Sequence, residues 1–295
     1  MRLLVFCHLS AYDMGMKVQH LFRHPVKGFQ PESLDKIILK DTAGVEGDRI
    51  FAFQFLDQNV PQELQDISPD ATPWMSKFHL AMQHDWPALA QIVPTWNSQN
   101  EMLRLQIHSP HSGNKTMEAS TNSADGRKEL SDFVYSFLQK QTPFANAKRK
   151  QISKMRLIGS SKEDVHFTDG QKGLVSVGLW ESLKDLEITF QTMIDFRRFR
   201  LNIILNGVPA WSELEWSGKM LRIGETKLRV LKPIGRCANI DVNPENGLRE
   251  VEIFPSYKER VGHSFFGLRC EVLKAGTILK NDTWELWAGS ANNGF

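Results

Sequence analysis

Cysteine is scarce in this sequence, which has only Cys7, Cys237 and Cys270 among its 295 residues. So few cysteines argue against a disulfide framework and indicate a reducing compartment. Long apolar runs are also missing, since none approaches the roughly 18–20 residues that a membrane-spanning helix requires. We therefore expect a cytoplasmic protein that has no membrane partner.

An excess of charge of one sign is likewise absent. The chain has 36 Lys and Arg residues against 34 Asp and Glu residues, a formal net charge of +2. This balance argues against a dedicated nucleic-acid binder, which needs a concentrated basic face. The short basic run at residues 148–150 is typical of a solvated linker. Neither common nucleotide-binding fingerprint occurs, and no histidine has zinc-ligand spacing with a cysteine.

The beginning of the chain lacks a convincing targeting signal. Residues 1–11 are mildly apolar, but His8 interrupts them and no small-residue cleavage pattern follows. Met16 and Lys17 come directly before the first convincing strand. We therefore interpret residues 1–15 as an overlong gene start.

Short strands separated by turn residues dominate the rest of the sequence. Strands are expected at 18–22, 34–39, 50–55, 103–107, 201–205, 220–223, 227–231, 268–273 and 283–287. Helical periodicity is clear at residues 128–139 and is also present at 179–186, whereas 57–73 and 109–126 are polar and predicted to be loops. This pattern predicts a mostly β (α+β) protein of barrels or curved sheets with a few covering helices. The basic, proline-containing stretch near 142–155 suggests a boundary between domains at 17–142 and 143–290.

The segment at residues 231–241 combines a strand end with reactive side chains. After Pro233 and Gly235, which favour a bend, the chain presents Arg236 and Cys237 together. A neighbouring guanidinium favours a thiolate, and a thiolate suits a thiophilic metal or a sulfur-carrying role. The alternative, a buried structural cysteine, stays open at this point because free cysteines commonly act as small hydrophobic residues.

A second cluster is basic and precedes a strand at residues 196–202. Period-two alternation predicts that Arg198, Arg200 and Asn202 share one face. Arginine binds phosphate through paired donors, so the cluster could form an anion site. A solvated charged edge is the alternative interpretation.

These segments together resemble the MOSC family, preceded by its usual N-terminal β-barrel partner, and in particular the mitochondrial amidoxime-reducing component and its bacterial counterparts. The resemblance is discontinuous and extends from about residue 17 to residue 286. The matching motifs are Pro25-Val26-Lys27, Gly47-Asp48-Arg49, Phe199-Arg200-Leu201-Asn202, Gly218-Lys219, Leu221-Arg222-Ile223-Gly224, Arg236-Cys237, Asn243-Pro244-Glu245-Asn246-Gly247, Phe266-Gly267 and Gly276-Thr277-Ile278.

The resemblance implies a MOSC β-barrel domain behind a smaller N-terminal β-barrel-like domain, and it implies roles for individual residues. Cys237 would be the protein ligand to the molybdenum of a pterin-based cofactor, and Asp169 would be the acidic catalytic residue near the metal. The residues implied to hold the pterin and its phosphate are Lys27, Arg49, Arg200, Asn202 and Arg236. Pyridoxal phosphate is not expected.

The sequence departs from the family pattern at several of these positions. Gly28, Gly170 and Gly235 stand where the family usually has residues with a side-chain hydroxyl, and Leu201 replaces a proline. Backbone N–H groups at glycine turns are an alternative source of donors for an anion.

The function that the resemblance implies is reduction of N-oxygenated small molecules such as N-hydroxylamines or amidoximes. Electrons would come from a separate flavin reductase or ferredoxin, since no cysteine-rich iron–sulfur segment occurs in the sequence. The alternative is a sulfur-carrier or cofactor-delivery module that uses a persulfide on Cys237. Cys7 and Cys270 are expected to be dispensable in either case.

Overall fold

The computed structural model describes residues 15–41, 44–107, 113–162, 165–170 and 175–288, and the position of Cys7 lies outside them. Within these ranges the chain forms sixteen strands and four α-helices. The strands are β1 (Lys17–Arg23), β2 (Glu32–Leu34), β3 (Lys36–Lys40), β4 (Gly44–Val45), β5 (Phe51–Phe55), β6 (Ile92–Asn97), β7 (Met102–Ile107), β8 (Lys115–Ser120), β9 (Met155–Gly159), β10 (Val175–Leu179), β11 (Ile203–Asn206), β12 (Met220–Ile223), β13 (Thr226–Gly235), β14 (Phe265–Lys274), β15 (Gly276–Leu279) and β16 (Trp284–Trp287). The helices are α1 (Gln62–Asp66), α2 (Ala124–Leu138), α3 (Trp180–Phe190) and α4 (Ile253–Val261).

A curled sheet of eight strands is the largest unit of the fold. Its order is β16-β12-β13-β14-β10-β11-β1-β2, and a three-stranded sheet in the order β15-β3-β4 contributes to the same core. The period-two pattern of β3 shows how the sequence sets this packing. Ile37 and Leu39 are buried, whereas Lys36, Ile38 and Lys40, which alternate with them, are exposed. The predicted mostly β fold with few helices is confirmed.

A second core forms between shorter sheets and α2. The sheets β5-β9 and β6-β7-β8 contribute the apolar side chains, and α2 packs against β8 and β9. Leu130, Val134 and Leu138 lie on one face of α2 and are fully buried. Ser123 begins the helix by accepting a hydrogen bond from the backbone N–H of Gly126 at 3.1 Å.

Strands from both ends of the chain pair with one another. β1 lies antiparallel to β11, and β3 lies antiparallel to β15. The eight-stranded sheet therefore contains residues from both sides of the predicted boundary near residue 142. The division into domains at 17–142 and 143–290 stays a prediction.

Two predicted loops contain regular structure. Residues 57–73 include the short helix α1, and residues 109–126 include strand β8 and the first turn of α2. β8 is polar on its outer side, so it lacks the apolar alternation of the other strands, yet it pairs with β7 along its whole length. Of the helices in the described part of the chain, none has the length and the apolar run needed to cross a bilayer.

Candidate functional site

A cleft of about 440 Å³ gathers residues from distant parts of the chain. Eight lysines and arginines line it, against Asp169 as the one carboxylate among the described lining residues. We call it the cationic cleft. Its lysines and arginines are Lys27, Arg49, Lys77, Lys148, Arg198, Arg200, Arg236 and Arg269.

Cys237 lies in the wall of this cleft at the point where β13 gives way to a 3₁₀ turn at Ala238–Asp241. The cysteine is exposed. Cys270, in contrast, is fully buried in β14, and burial raises the pKa of its thiol. The expectation that Cys270 belongs to a core strand is confirmed, and of these two cysteines only Cys237 offers its sulfur to a ligand in the cleft.

Lys27 and Asp169 form an ion pair inside the cleft. The Lys27 Nζ lies 2.8 Å from the Asp169 Oδ1, and it also donates to the backbone oxygen of Phe167 at 2.8 Å. Burial lowers the pKa of Lys27, and Asp169 opposes that effect. Burial acts to raise the pKa of Asp169, but the charges of Lys27 and Lys77 and the hydrogen bond from Lys27 outweigh it and bring the pKa to about 2. Asp169 is therefore ionised at neutral pH.

Arg200 and Arg236 are half-buried cations that line the same cleft. Burial, reinforced by the charge of Arg49, lowers the pKa of Arg200 to about 9. Burial lowers the pKa of Arg236 to about 10. Arg236 donates to the backbone oxygens of Phe266 and Phe199 at 2.9 and 2.8 Å, which fixes its position beside Cys237. Cations whose pKa falls through burial and mutual repulsion are stabilised by an anion.

Asp48 and Asn202 form a buried hydrogen-bond network that holds Arg49 next to Arg200. The Asp48 carboxylate is 1% exposed, pairs with Arg49 and accepts from the backbone N–H of His24 at 2.7 Å. It also accepts from the Asn202 Nδ2 at 3.0 Å. Arg49 in turn donates to the backbone oxygen of Arg200 at 2.9 Å. Asn202 is fully buried and lies outside the lining of the cleft, unlike the six other residues that the resemblance implies.

The predicted shared face of Arg198, Arg200 and Asn202 is wrong. Residues Phe196–Phe199 form a 3₁₀ turn, Arg200 is left-handed with φ of 55°, and the strand begins only at Ile203. Period-two alternation therefore does not apply to this segment. Arg198 and Arg200 nevertheless both reach the cleft, because the turn and the left-handed residue redirect the backbone.

The basic run at residues 148–150 is not a simple solvated linker. Lys148 lines the cleft, and Arg149 pairs with Asp57 with only 10% of its side chain exposed. Lys77 is a further lining cation that sequence reasoning missed. Nothing local in the sequence marks Lys77 or Lys148, since their placement depends on how distant segments pack. Asp48 could have been recognised as a buried partner of the motif arginine.

The charges that line the cleft suit a multiply charged anion. Asn239, in the cleft wall, has a buried side-chain oxygen without a partner among the described residues. The described part of the chain contains no group of three or more histidine, cysteine or acidic residues able to hold a bare metal ion. Gly28 has φ of +84°, and an added Cβ would meet the Ala81 backbone oxygen at 3.0 Å, so its backbone favours glycine where the family has serine.

Comparison with known proteins gives one domain family and two relatives that have the same name. Residues 162–285 match the MOSC domain. Molybdenum cofactor sulfurase from Bos taurus is 38% identical over 21% of this chain, and that from Homo sapiens is 36% identical over 26% of it. The matched segments cover only 7% and 8% of those two proteins.

Solved structures with a similar course of the chain have low sequence identity. The YUAD protein from Bacillus subtilis is 12% identical, with 92% of this chain and 96% of that chain covered and a TM-score of 0.42. YiiM from Geobacillus stearothermophilus is 16% identical, with 40% of this chain and 56% of that chain covered and a TM-score of 0.33.

Proposed function

We propose that this protein, whose residues 162–285 match the MOSC domain, binds a pterin-based molybdenum cofactor and reduces N-oxygenated compounds such as N-hydroxylamines and amidoximes. The observation that carries the proposal is the cationic cleft, in which an exposed thiol and eight cations face one space. The similarity to proteins named molybdenum cofactor sulfurases supports the choice of cofactor.

The role proposed for each residue follows from the chemistry of its side chain. Cys237 would be the single protein ligand to the metal, because a thiolate is a soft ligand. Lys27, Arg49, Arg200 and Arg236 would hold the phosphate and the pterin through charge-assisted hydrogen bonds. Asn202, which the resemblance implies as a cofactor contact, would act through Asp48. When bound, the cofactor supplies two-electron redox and oxygen-transfer chemistry that amino-acid side chains lack.

Asp169 has the position and charge of a substrate-orienting group. Its ionised carboxylate would accept a hydrogen bond from the N–OH group of the substrate. A pKa of about 2 argues against a role as proton donor at neutral pH. The net reaction converts R–NH–OH, two electrons and two protons into R–NH₂ and water. In this proposal the protons come from solvent and the electrons come from a separate flavin reductase or ferredoxin.

The deciding experiment measures molybdenum and pterin in protein made in a cofactor-competent host. The Cys237→Ser variant is compared with the wild type and with a Cys270→Ala control, in which the buried cysteine is changed instead. We expect near-stoichiometric molybdenum in the wild type and the control, and its loss in Cys237→Ser. Reduction of an N-hydroxylamine by a chemical electron donor should follow the same order. Activity that survives in Cys237→Ser would contradict the assignment.

A sulfur-carrier or cofactor-delivery role is the second candidate. The exposed thiol of Cys237 and the names of the curated relatives favour it. Sulfur released from the wild-type protein by cyanide, without bound molybdenum and without turnover, would support this role instead. Release of the sulfur should then be lost in Cys237→Ser and retained in Cys270→Ala.

A further inference from the structure

One side of the cationic cleft is formed by residues that the proposed cofactor contacts leave unused. They are Lys77, Phe78, Met82, Gln83, His84 and Lys148, and we call them the outer wall. Lys77, Phe78 and Lys148 are exposed, whereas Lys27 is buried and Arg49 has only 14% of its side chain exposed. These three side chains of the outer wall are therefore accessible to a molecule that enters the cleft from solvent.

Lys148 and Phe78 form a pair that the backbone holds in place. The Lys148 Nζ lies 4.0 Å from the centre of the Phe78 ring. The backbone N–H of Lys148 donates to the Asp85 Oδ1 at 2.9 Å, and Asp85 is 2% exposed. The Arg149 Nε donates to the backbone oxygen of Phe78 at 3.1 Å. The aromatic ring and the ammonium group are thus presented together, although Phe78 stays 45% exposed.

Lys77 connects the outer wall to the ion pair of Lys27 and Asp169. Its Nζ lies 3.8 Å from the Asp169 Oδ2, while the Lys27 Nζ lies 2.8 Å from the other oxygen. A group bound by Lys77 would therefore lie beside Asp169, the proposed substrate-orienting carboxylate. Lys77 precedes Phe78 in the chain, and the ammonium group of Lys148 lies against the Phe78 ring. Phe78 therefore has one lysine next to it in sequence and a second lysine in contact with its ring.

We propose that the outer wall is the substrate-binding side of the cleft and selects a planar ring that bears a carboxylate. Phe78 packs against the ring, and Lys77 and Lys148 attract the carboxylate. The inference rests on the proposed function, which supplies the N-oxygenated group that must reach Asp169. Exposed cations at the entrance to a cleft also raise the rate at which anions arrive.

The test compares benzamidoxime with its 4-carboxylate, two substrates that differ only in the anionic group. The measured quantity is the ratio of kcat/KM for the carboxylate to kcat/KM for the neutral compound, in the molybdenum-loaded protein. We expect the double variant Lys77→Gln/Lys148→Gln to lower this ratio about tenfold, since each exposed ion pair contributes modestly. Lys148→Gln alone, which leaves the contact of Lys77 with Asp169 intact, should lower it partly. Lys140→Gln, which removes an exposed charge outside the cleft, should leave the ratio unchanged.

A binding measurement keeps the test independent of turnover. Calorimetry of both compounds on the oxidised protein, without a reductant, gives their relative affinities. The carboxylate could bind more tightly than the neutral compound, and lose this advantage in the double variant, while neither compound is turned over. That result would support the substrate-binding role of the outer wall and overturn the proposed reduction. If the kcat/KM ratio and the relative affinities of the two compounds were the same in the wild type and in all variants, the substrate-binding role of the outer wall would be overturned. Loss of molybdenum from the double variant would also overturn it, because the lysines would then hold the cofactor.

Discussion

A single buried carboxylate, that of Asp48, connects three segments that form the cleft. It accepts from the backbone of His24, pairs with Arg49 and accepts from Asn202. Burial lowers the pKa of His24 well below its usual value, and the charges of Arg49 and Arg200 act in the same direction. His24 is therefore neutral, and Asp48 carries the negative charge that lets Arg49 lie so close to Arg200.

Replacing this carboxylate by an amide tests how much of the fold depends on it. We expect Asp48→Asn to lower the free energy of unfolding by about 3 kcal/mol, because it leaves a buried arginine without its counter-charge. Urea unfolding followed by circular dichroism measures the change. Asp132→Asn is the matched control, since its pair with Lys128 is exposed to solvent and contributes little to stability. Equal losses in the two variants would contradict the role given to Asp48.

The residues of the site differ in how far the sequence could predict them. Cys237 and Arg236 are adjacent in the chain, so a shared location follows directly. Lys27 and Arg49 are far from Cys237 in sequence, and only the resemblance of their motifs to the MOSC family connects them. Lys77 and Lys148 belong to no such motif. Their approach to the cleft depends on tertiary contacts such as that between Lys148 and Asp85, which local sequence patterns do not contain.

At the scale of elements, α2 was the clearest prediction, and its first turn was the part missed. The apolar periodicity begins at Leu130, whereas the helix begins at Ala124. The missing turn is polar and contains Gly126, a residue that is unfavourable within helices. Gly126 is tolerated because α2 lies so close to the end of β8 that an added Cβ would be 2.3 Å from the Ser120 backbone oxygen.

The close approach of α2 to β8 reverses the usual effect of glycine replacement in a helix. Alanine within a helix usually stabilises it relative to glycine by about 1 kcal/mol. We expect Gly126→Ala instead to destabilise the protein, by about 2 kcal/mol, because the new methyl group meets backbone that is fixed by strand pairing. Thermal and urea unfolding measure the effect. Ser136→Ala, at an exposed position of the same helix, should be slightly stabilising, and a gain in stability for Gly126→Ala would show that the helix can move away from β8.

At the scale of the whole molecule, the order of the strands was beyond what sequence patterns could predict. Each strand of the eight-stranded sheet has its own local pattern, but nothing local specifies that β1 pairs with β11 about 190 residues later. A short turn between consecutive strands does not ensure that they pair, as residues 281–282 show. β15 and β16 follow one another in the chain, yet β15 pairs with β3 and β16 pairs with β12.

The pairing of distant strands makes the predicted domain division testable. A fragment of residues 143–290 would lack β1 to β4, and with them the buried side chains of Val18, Leu21, Ile37, Leu39 and Val45. Each such side chain contributes about 1.5–3 kcal/mol of apolar burial, so their combined loss is comparable with the whole stability of a typical domain, about 5–15 kcal/mol. We therefore expect this fragment to lose cooperative unfolding and to bind a hydrophobic dye, whereas residues 15–288 unfold cooperatively. A fragment that unfolds in one sharp transition, with native-like near-ultraviolet circular dichroism, would instead show that residues 143–290 are a domain in their own right and that β1 to β4 are an addition to it.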